Sequence, residues 1–225
     1  MSILEPRKLP RQSRSKATVQ AILDACSEAL SRGGYHGLTT HAIASRAGVS
    51  VGTLYQYFPN REAVAGALIV LAMERLLDAM RRALAECVAG QLDNHAGTEH
   101  LLLSGLDVLV EHRAVFGRLG TEAPHLFGLP AVGQIQAQLM QLSQDIRLLN
   151  GDRLALPMPE ADAWIIGHMV SASMLQISLL DAGPEQRRAL TQEVARLTRR
   201  MSLDEPAGFG TPELAAAERS DSAAA

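Results

Sequence analysis

The residues with the most legible chemistry lie in one run, Thr39-Thr40-His41-Ala42-Ile43-Ala44-Ser45-Arg46-Ala47-Gly48-Val49-Ser50-Val51-Gly52-Thr53-Leu54-Tyr55-Gln56-Tyr57-Phe58. Thr39 and Ser50 carry the short oxygens that cap helix N-termini by accepting from an amide two or three residues on. Gly48 accepts the positive φ of a tight turn. Ile43, Ala44 and Ala47 are small or apolar, so two helices can cross closely, with Val49 filling the angle between them. Leu54 and Phe58 recur at i, i+4 and point inward, which turns Val51, Gly52, Thr53, Tyr55, Gln56 and Tyr57 outward. Hydroxyl, amide and aromatic groups at the start of an exposed helix suit base edges in a major groove and the phosphates beside it. The run reads as a helix-turn-helix. A plain helical hairpin in a bundle is the alternative, but a two-turn helix buries little, and two tyrosines on its outside ask for a partner.

Charge points the same way. Residues 1–62 hold eight basic residues against four acidic ones, a net +4, on a chain whose net charge is −3, so residues 63–225 carry −7. A basic first quarter on an acidic remainder suggests an anionic partner at that end; a solvated basic tail is the plainer reading.

Residues 15–68 resemble the DNA-binding domain of the tetracycline-repressor (TetR) family of bacterial transcription regulators. The resemblance is carried by Thr39-x-x-x-Ile43-Ala44, Ala47-Gly48-Val49-Ser50, Gly52-Thr53-Leu54-Tyr55-x-Tyr57-Phe58 and Asn60-Arg61-Glu62. It implies roles by position. Thr39 caps the second helix and can donate to a phosphate, next to Thr40. His41 stands where relatives often carry a groove-facing arginine, and a neutral imidazole would read more weakly and with more sensitivity to pH. Val51, Gly52 and Tyr55 stand where relatives touch base edges, Val51 departing from the polar or basic residue common there. Ser50 caps the third helix. Thr53, Gln56 and Tyr57 are placed for phosphates or groove edges, Gln56 replacing a common histidine. Arg61 opens the fourth helix and should hold a phosphate. Lys16 and Arg14 flank the first helix, within reach of the backbone or minor groove.

These residues need helices to hold them. The chain is 47% hydrophobic, 20% charged and only 4% aromatic, which favours helices over strands. Periodicity predicts an all-α fold of about nine helices, a three-helix head on a larger helical body, and the resemblance implies that this body, by its layout, is the family's ligand-binding and dimerisation domain. A basic arm (1–12) and a tail (204–225) are expected to be disordered, the head to occupy 13–62 and the body 63–203. Within the body, helices are expected at 61–89, 98–119, 131–149, 160–182 and 185–203, with a short one between 120 and 129. Helix 160–182 is apolar on nearly every face, which implies burial on all sides. One stripe, Ala163, Gly167, Val170 and Met174, together with Leu190, Val194 and Leu197 of the next helix, is expected to form a four-helix dimer interface. A monomer with both helices in one core is the alternative. The other stripe places Trp164 and His168 inward, lining a ligand pocket with Met73, Leu106, Val110 and Phe116. The plainer reading is core, with the histidine satisfied by a backbone carbonyl.

No phosphate loop, nucleophile elbow, dinucleotide fingerprint or zinc motif occurs in the sequence, and no catalysis, cofactor or metal is expected. Glu99-His100 and Glu111-His112 are adjacent on helices and diverge too far to act as metal or catalytic pairs. Two cysteines exclude a disulfide framework. The polar N-terminus lacks a secretory core and no run is long enough to span a membrane, so a cytoplasmic protein is expected. The expected partners are a near-palindromic double-stranded DNA operator, a second copy of the chain and a small molecule, apolar or amphipathic. Control by a protein partner, or a purely architectural role, is the alternative.

Overall fold

The computed structural model describes residues 13–90, 92, 94–149 and 160–202, so the arm and tail expected at 1–12 and 204–225 lie outside the described residues. Among the described residues every regular element is helical and no strand occurs. The head comprises α1 (Ser13–Gly33), α2 (Thr40–Arg46) and α3 (Val51–Tyr57). α1 lays Ile22, Cys26 and Leu30 at helical spacing into the core. Both short helices start as their sequences direct: Thr39 Oγ1 accepts from the Ala42 amide at 3.1 Å and Ser50 Oγ from the Thr53 amide at 3.0 Å. Asn60 caps the fourth helix, its Oδ1 accepting from the Ala63 amide at 2.7 Å.

That helix, α4 (Arg61–Ala89), has 29 residues and a length of about 44 Å at 1.5 Å per residue. Its first turns bury Val64 and Leu68 against the head, and its later turns bury Met73, Leu77 and Ala83 in the body. The boundary expected at 62/63 therefore falls in the first turn of a helix that both units share. The body continues with α5 (Asn94–Glu111), a π-helical turn (Val115–Leu119), the single turn α6 (Gly120–Glu122), a 3₁₀ turn (Pro124–Gly128), α7 (Pro130–Leu149), α8 (Glu160–Leu179) and α9 (Pro184–Ser202). α4 packs on α5 and α7, while α5 also carries α8 and α9. One apolar core runs from Ile22 and Leu54 in the head to Leu106, Leu119 and Met174 in the body.

Several expectations need correction. The helix expected at 98–119 begins at Asn94 and ends at Glu111, and its last residues belong to the π turn. Within the single chain α8 buries only part of its surface. Its first half leaves Trp164, Ile165 and Met169 exposed, Trp164 at 56%, whereas its second half sinks Met174 and Ile177 into the chain's own core. Trp164 and His168 thus face outward rather than into a pocket. Their rings stack at 3.9 Å between centroids, and His168 Nδ1–H donates to the Trp164 carbonyl at 2.8 Å. Met174 is buried, and Val170 and Val194 are half-buried against the same core, so these three of the expected interface residues face inward. Gly167 is half-buried, Leu190 and Leu197 are exposed, and the side chain of Ala163 lies outside the described set. The physical reason is that an all-apolar helix carries no periodic signal to say which residues face which way.

Candidate nucleic-acid interface

The turn between α2 and α3 closes on itself. Ala47 N–H donates to Ile43 O at 2.9 Å and Val49 N–H to Ala44 O at 3.0 Å, with Gly48 at φ +67° between them. Leu54, fully buried, and Phe58, 1% exposed, anchor α3. A bond between the Thr40 and Tyr55 hydroxyls at 3.3 Å ties the two helices together on the outer face. This brings the predicted reading residues to one surface. His41, Gly52, Tyr55 and Gln56 are exposed, as are Thr39 and Ser50; Thr40 and Thr53 are half-buried. The Ser50 and Thr53 hydroxyls bond each other at 2.8 Å, so Ser50 serves first as a cap. Val51 and Tyr57 depart from the outward placement expected of them: both are half-buried against the head's core, where a seven-residue helix draws on every apolar group for anchorage. Lys16 is exposed on α1.

Arg61 is more engaged than a free phosphate hook. Its Nη1 donates to the Leu38 carbonyl at 3.0 Å and its guanidinium lies 4.7 Å from the centre of the Tyr35 ring. Its half-buried charge thus stands at the start of α4 while bracing the loop between α1 and α2. Glu28 of α1 holds Arg32 at 2.9 Å and Arg46 at 3.6 Å, fixing the end of α2 to α1. The Cys26 thiol is pushed up to about 12 by burial and behaves as a small apolar group.

Residues 22–68 match the family described as bacterial regulatory proteins, tetR family. Over these residues the chain is similar to the DNA-binding segment of the TetR family. Over 55 residues it is 42% identical to the HTH-type transcriptional repressor KstR of Rhodococcus jostii (strain RHA1), a stretch covering 24% of this chain and 26% of that repressor. The chain spans about a quarter of that relative's length in the match. The fold extends much further than the sequence likeness. The fatty acid degradation regulator FadR of Bacillus halodurans superposes with a TM-score of 0.67 at 19% identity, over 85% of this chain and 96% of that one. FadR of Bacillus subtilis in complex with stearoyl-CoA superposes with a TM-score of 0.64 at 19% identity, over 80% and 96%.

The residues expected to line a pocket divide. Met73, Leu106 and Phe116 are buried, and Val110 is half-buried against them, in the core that α4, α5 and the π turn share; Trp164 and His168 stand apart on the outer face of α8. Reading the sequence also missed a cluster at the junction of α1, α4 and α5. Arg75 Nη1 donates to Glu111 Oε1 at 2.8 Å and to His112 Nε2 at 3.3 Å, beside an open groove of about 340 Å³. Glu111 and His112 do meet, at 3.7 Å. Burial, chiefly, holds His112 below the ordinary imidazole range, against the pull of Glu111 and with Arg75 adding to the lowering. Among the described residues no group of three or more His, Cys, Asp or Glu could hold a metal ion, and no helix is long and apolar enough to cross a membrane.

Proposed function

We propose that the chain is a ligand-responsive transcriptional regulator, a repressor that reads DNA as a homodimer and leaves it when an apolar or amphipathic molecule enters the body. The observation that carries this reading is the capped, two-turn α3, held by Leu54 and Phe58 and presenting Gly52, Tyr55 and Gln56 outward beside His41 of α2. In a two-fold dimer the α3 helices meet major grooves about 34 Å apart or a multiple of that distance, so the operator is a near-palindrome. In this reading the exposed Tyr55, Gln56 and His41 read bases, and Thr39, Thr40, Thr53, Arg61 and Lys16 hold phosphates. The exposed apolar residues Trp164, Ile165 and Met169 of α8, with Leu190, Leu197 and Met201 of α9, form the dimer face. Met73, Leu106, Val110 and Phe116 line the effector site, next to the α4 rod that enters the head. The stearoyl-CoA held by the Bacillus subtilis regulator supports a long-chain acyl thioester as the first effector to try.

The test is selection of duplexes from random DNA, followed by mobility shifts at graded salt with and without stearoyl-CoA. The expected result is an inverted repeat, bound with a log–log salt slope of about −0.9 per phosphate neutralised and released by the thioester. Leu106→Trp is expected to mimic or block the effector while leaving the head folded. A chain that enriches no motif refutes the DNA-reading assignment. A Leu106→Trp variant with wild-type DNA affinity and wild-type release shows that the effector site is elsewhere.

A further inference from the structure

We propose that Glu122 is the latch through which the body fixes the position of the head. The proposal rests on the regulator reading above and adds the route by which an effector reaches the DNA surface. The turn between α1 and α2 starts at Gly34, whose φ is +65°. The next amide, Tyr35 N–H, donates to Glu122 Oε2 at 2.7 Å, across 87 positions of sequence. Glu122 belongs to α6, in the body, and Arg118 one turn earlier lies 3.5 Å from its other oxygen. The Tyr35 amide, chiefly, holds the Glu122 carboxyl below the ordinary carboxylate range, with Arg118 and the His36 amide helping against the opposing effect of burial. Gly34 is required twice at this point. Its φ disfavours any other residue, and a Cβ there would sit 2.8 Å from the Glu122 oxygen.

The same turn is gripped from its other side by the head end of α4. The Tyr35 hydroxyl donates to Glu62 Oε1 at 3.3 Å, and Arg61 holds the Leu38 carbonyl. Residues 34–38 are therefore the place where α1, α2, the start of α4 and the body's α6 all meet. Behind Glu122 the body is solid: Val115, Leu119, Ala123 and Leu126 are fully buried. Phe116, one of the proposed effector-site residues, lies in the π turn that leads directly into α6. A π turn is a wide-wound segment that is a frequent feature of functional sites. An effector pressing on Phe116 moves the π turn, the π turn carries α6, and α6 withdraws the carboxylate from Tyr35. The head then loses its fixed angle without any contact between effector and head.

The experiment follows amide exchange by NMR in the full chain, free of DNA. In Glu122→Ala the Tyr35 amide is expected to exchange about tenfold faster or more, since a hydrogen bond to a charged acceptor has been removed. Amides in the middle of α1, at Leu23 and Cys26, are expected to keep their wild-type rates. Glu122→Gln retains an acceptor oxygen and is expected to recover most of the protection, whereas Glu122→Met fills similar space without that acceptor and is expected to exchange like Glu122→Ala, which a loss of packing alone would not predict. On duplexes selected by the wild-type chain, Glu122→Ala binds more weakly with an unchanged salt slope, because Glu122 touches no phosphate. Wild-type exchange at Tyr35 in Glu122→Ala, or failure of Glu122→Gln to recover what alanine loses, overturns the latch. A wild-type chain that selects no DNA defeats the regulator reading, and the exchange rates still decide the latch.

Discussion

Replacing Trp164 with alanine is expected to break the proposed dimer while leaving the protomer folded. Trp164 is 56% exposed on the outer face of α8, and a tryptophan contributes up to about 250 Å² to an interface. In the proposed dimer roughly 140 Å² per copy is covered, worth about 3.5 kcal/mol at 25 cal/mol per Å², and a two-fold axis counts it twice. If only a third of that total of about 7 kcal/mol is realised, the dissociation constant rises roughly fortyfold. The protomer should survive, because the core contacts of α8 come from Met174 and Ile177 in its other half. Sedimentation equilibrium measures the constant. Trp164 is the chain's one tryptophan, so wild-type emission should shift to the blue as concentration rises and the indole is covered. An unchanged dissociation constant in Trp164→Ala, or emission that never moves with concentration, refutes this assignment of the face.

Ser50→Ala removes the cap of α3 and is expected to cost about 1 kcal/mol, a fall in thermal midpoint of roughly 2–4 °C for a chain of this size. Ser50→Asp keeps the cap and the stability yet weakens DNA binding by facing a carboxylate to phosphate; calorimetry and mobility shifts read the two effects separately. Arg61→Ala is expected to lose about 1–2 kcal/mol from the bond to Leu38 and the contact with Tyr35, and to lower the salt slope of DNA binding by about 0.9. Arg61→Lys should restore the slope and not the stability; a slope unmoved by alanine removes Arg61 from the interface. His112 titrates lower in the folded chain than in the unfolded one, so the unfolded chain takes up the proton first. Stability should therefore fall as pH drops below about 6.5 and level off below the folded value. His112→Gln should flatten that step, and identical unfolding curves for the two proteins across this range would defeat the assignment.

The head was legible because its determinants are local. Thr39, Ser50 and Asn60 each cap within three residues, Gly48 supplies its turn without outside help, and Leu54 with Phe58 shows its inward side by spacing alone. The body was legible as helices and not as faces. α8 offers apolar residues at every angle, so its pattern does not distinguish Met174, which is buried, from Trp164, which is not. The π turn was hidden because a change from i→i+4 to i→i+5 bonding needs no particular residue at 115–119, and Phe116 fits the helical pattern on either side. Glu122 escaped for another reason. A glutamate two residues before Pro124 looks like surface charge, and only the return of the chain after 87 positions shows the amide that it holds.

α4 also acts as a protractor. Because one uninterrupted helix passes from the head into the body, there is no linker in which an insertion could be absorbed. One residue added in its middle turns the head by about 100° and advances it by about 1.5 Å relative to the body. Seven added residues nearly restore the angle, about 20° short of two full turns, and set each head about 10 Å further out. A ladder of such insertions would change the spacing between half-sites in known increments, and the length of rod between the two units would be readable from the DNA the dimer prefers.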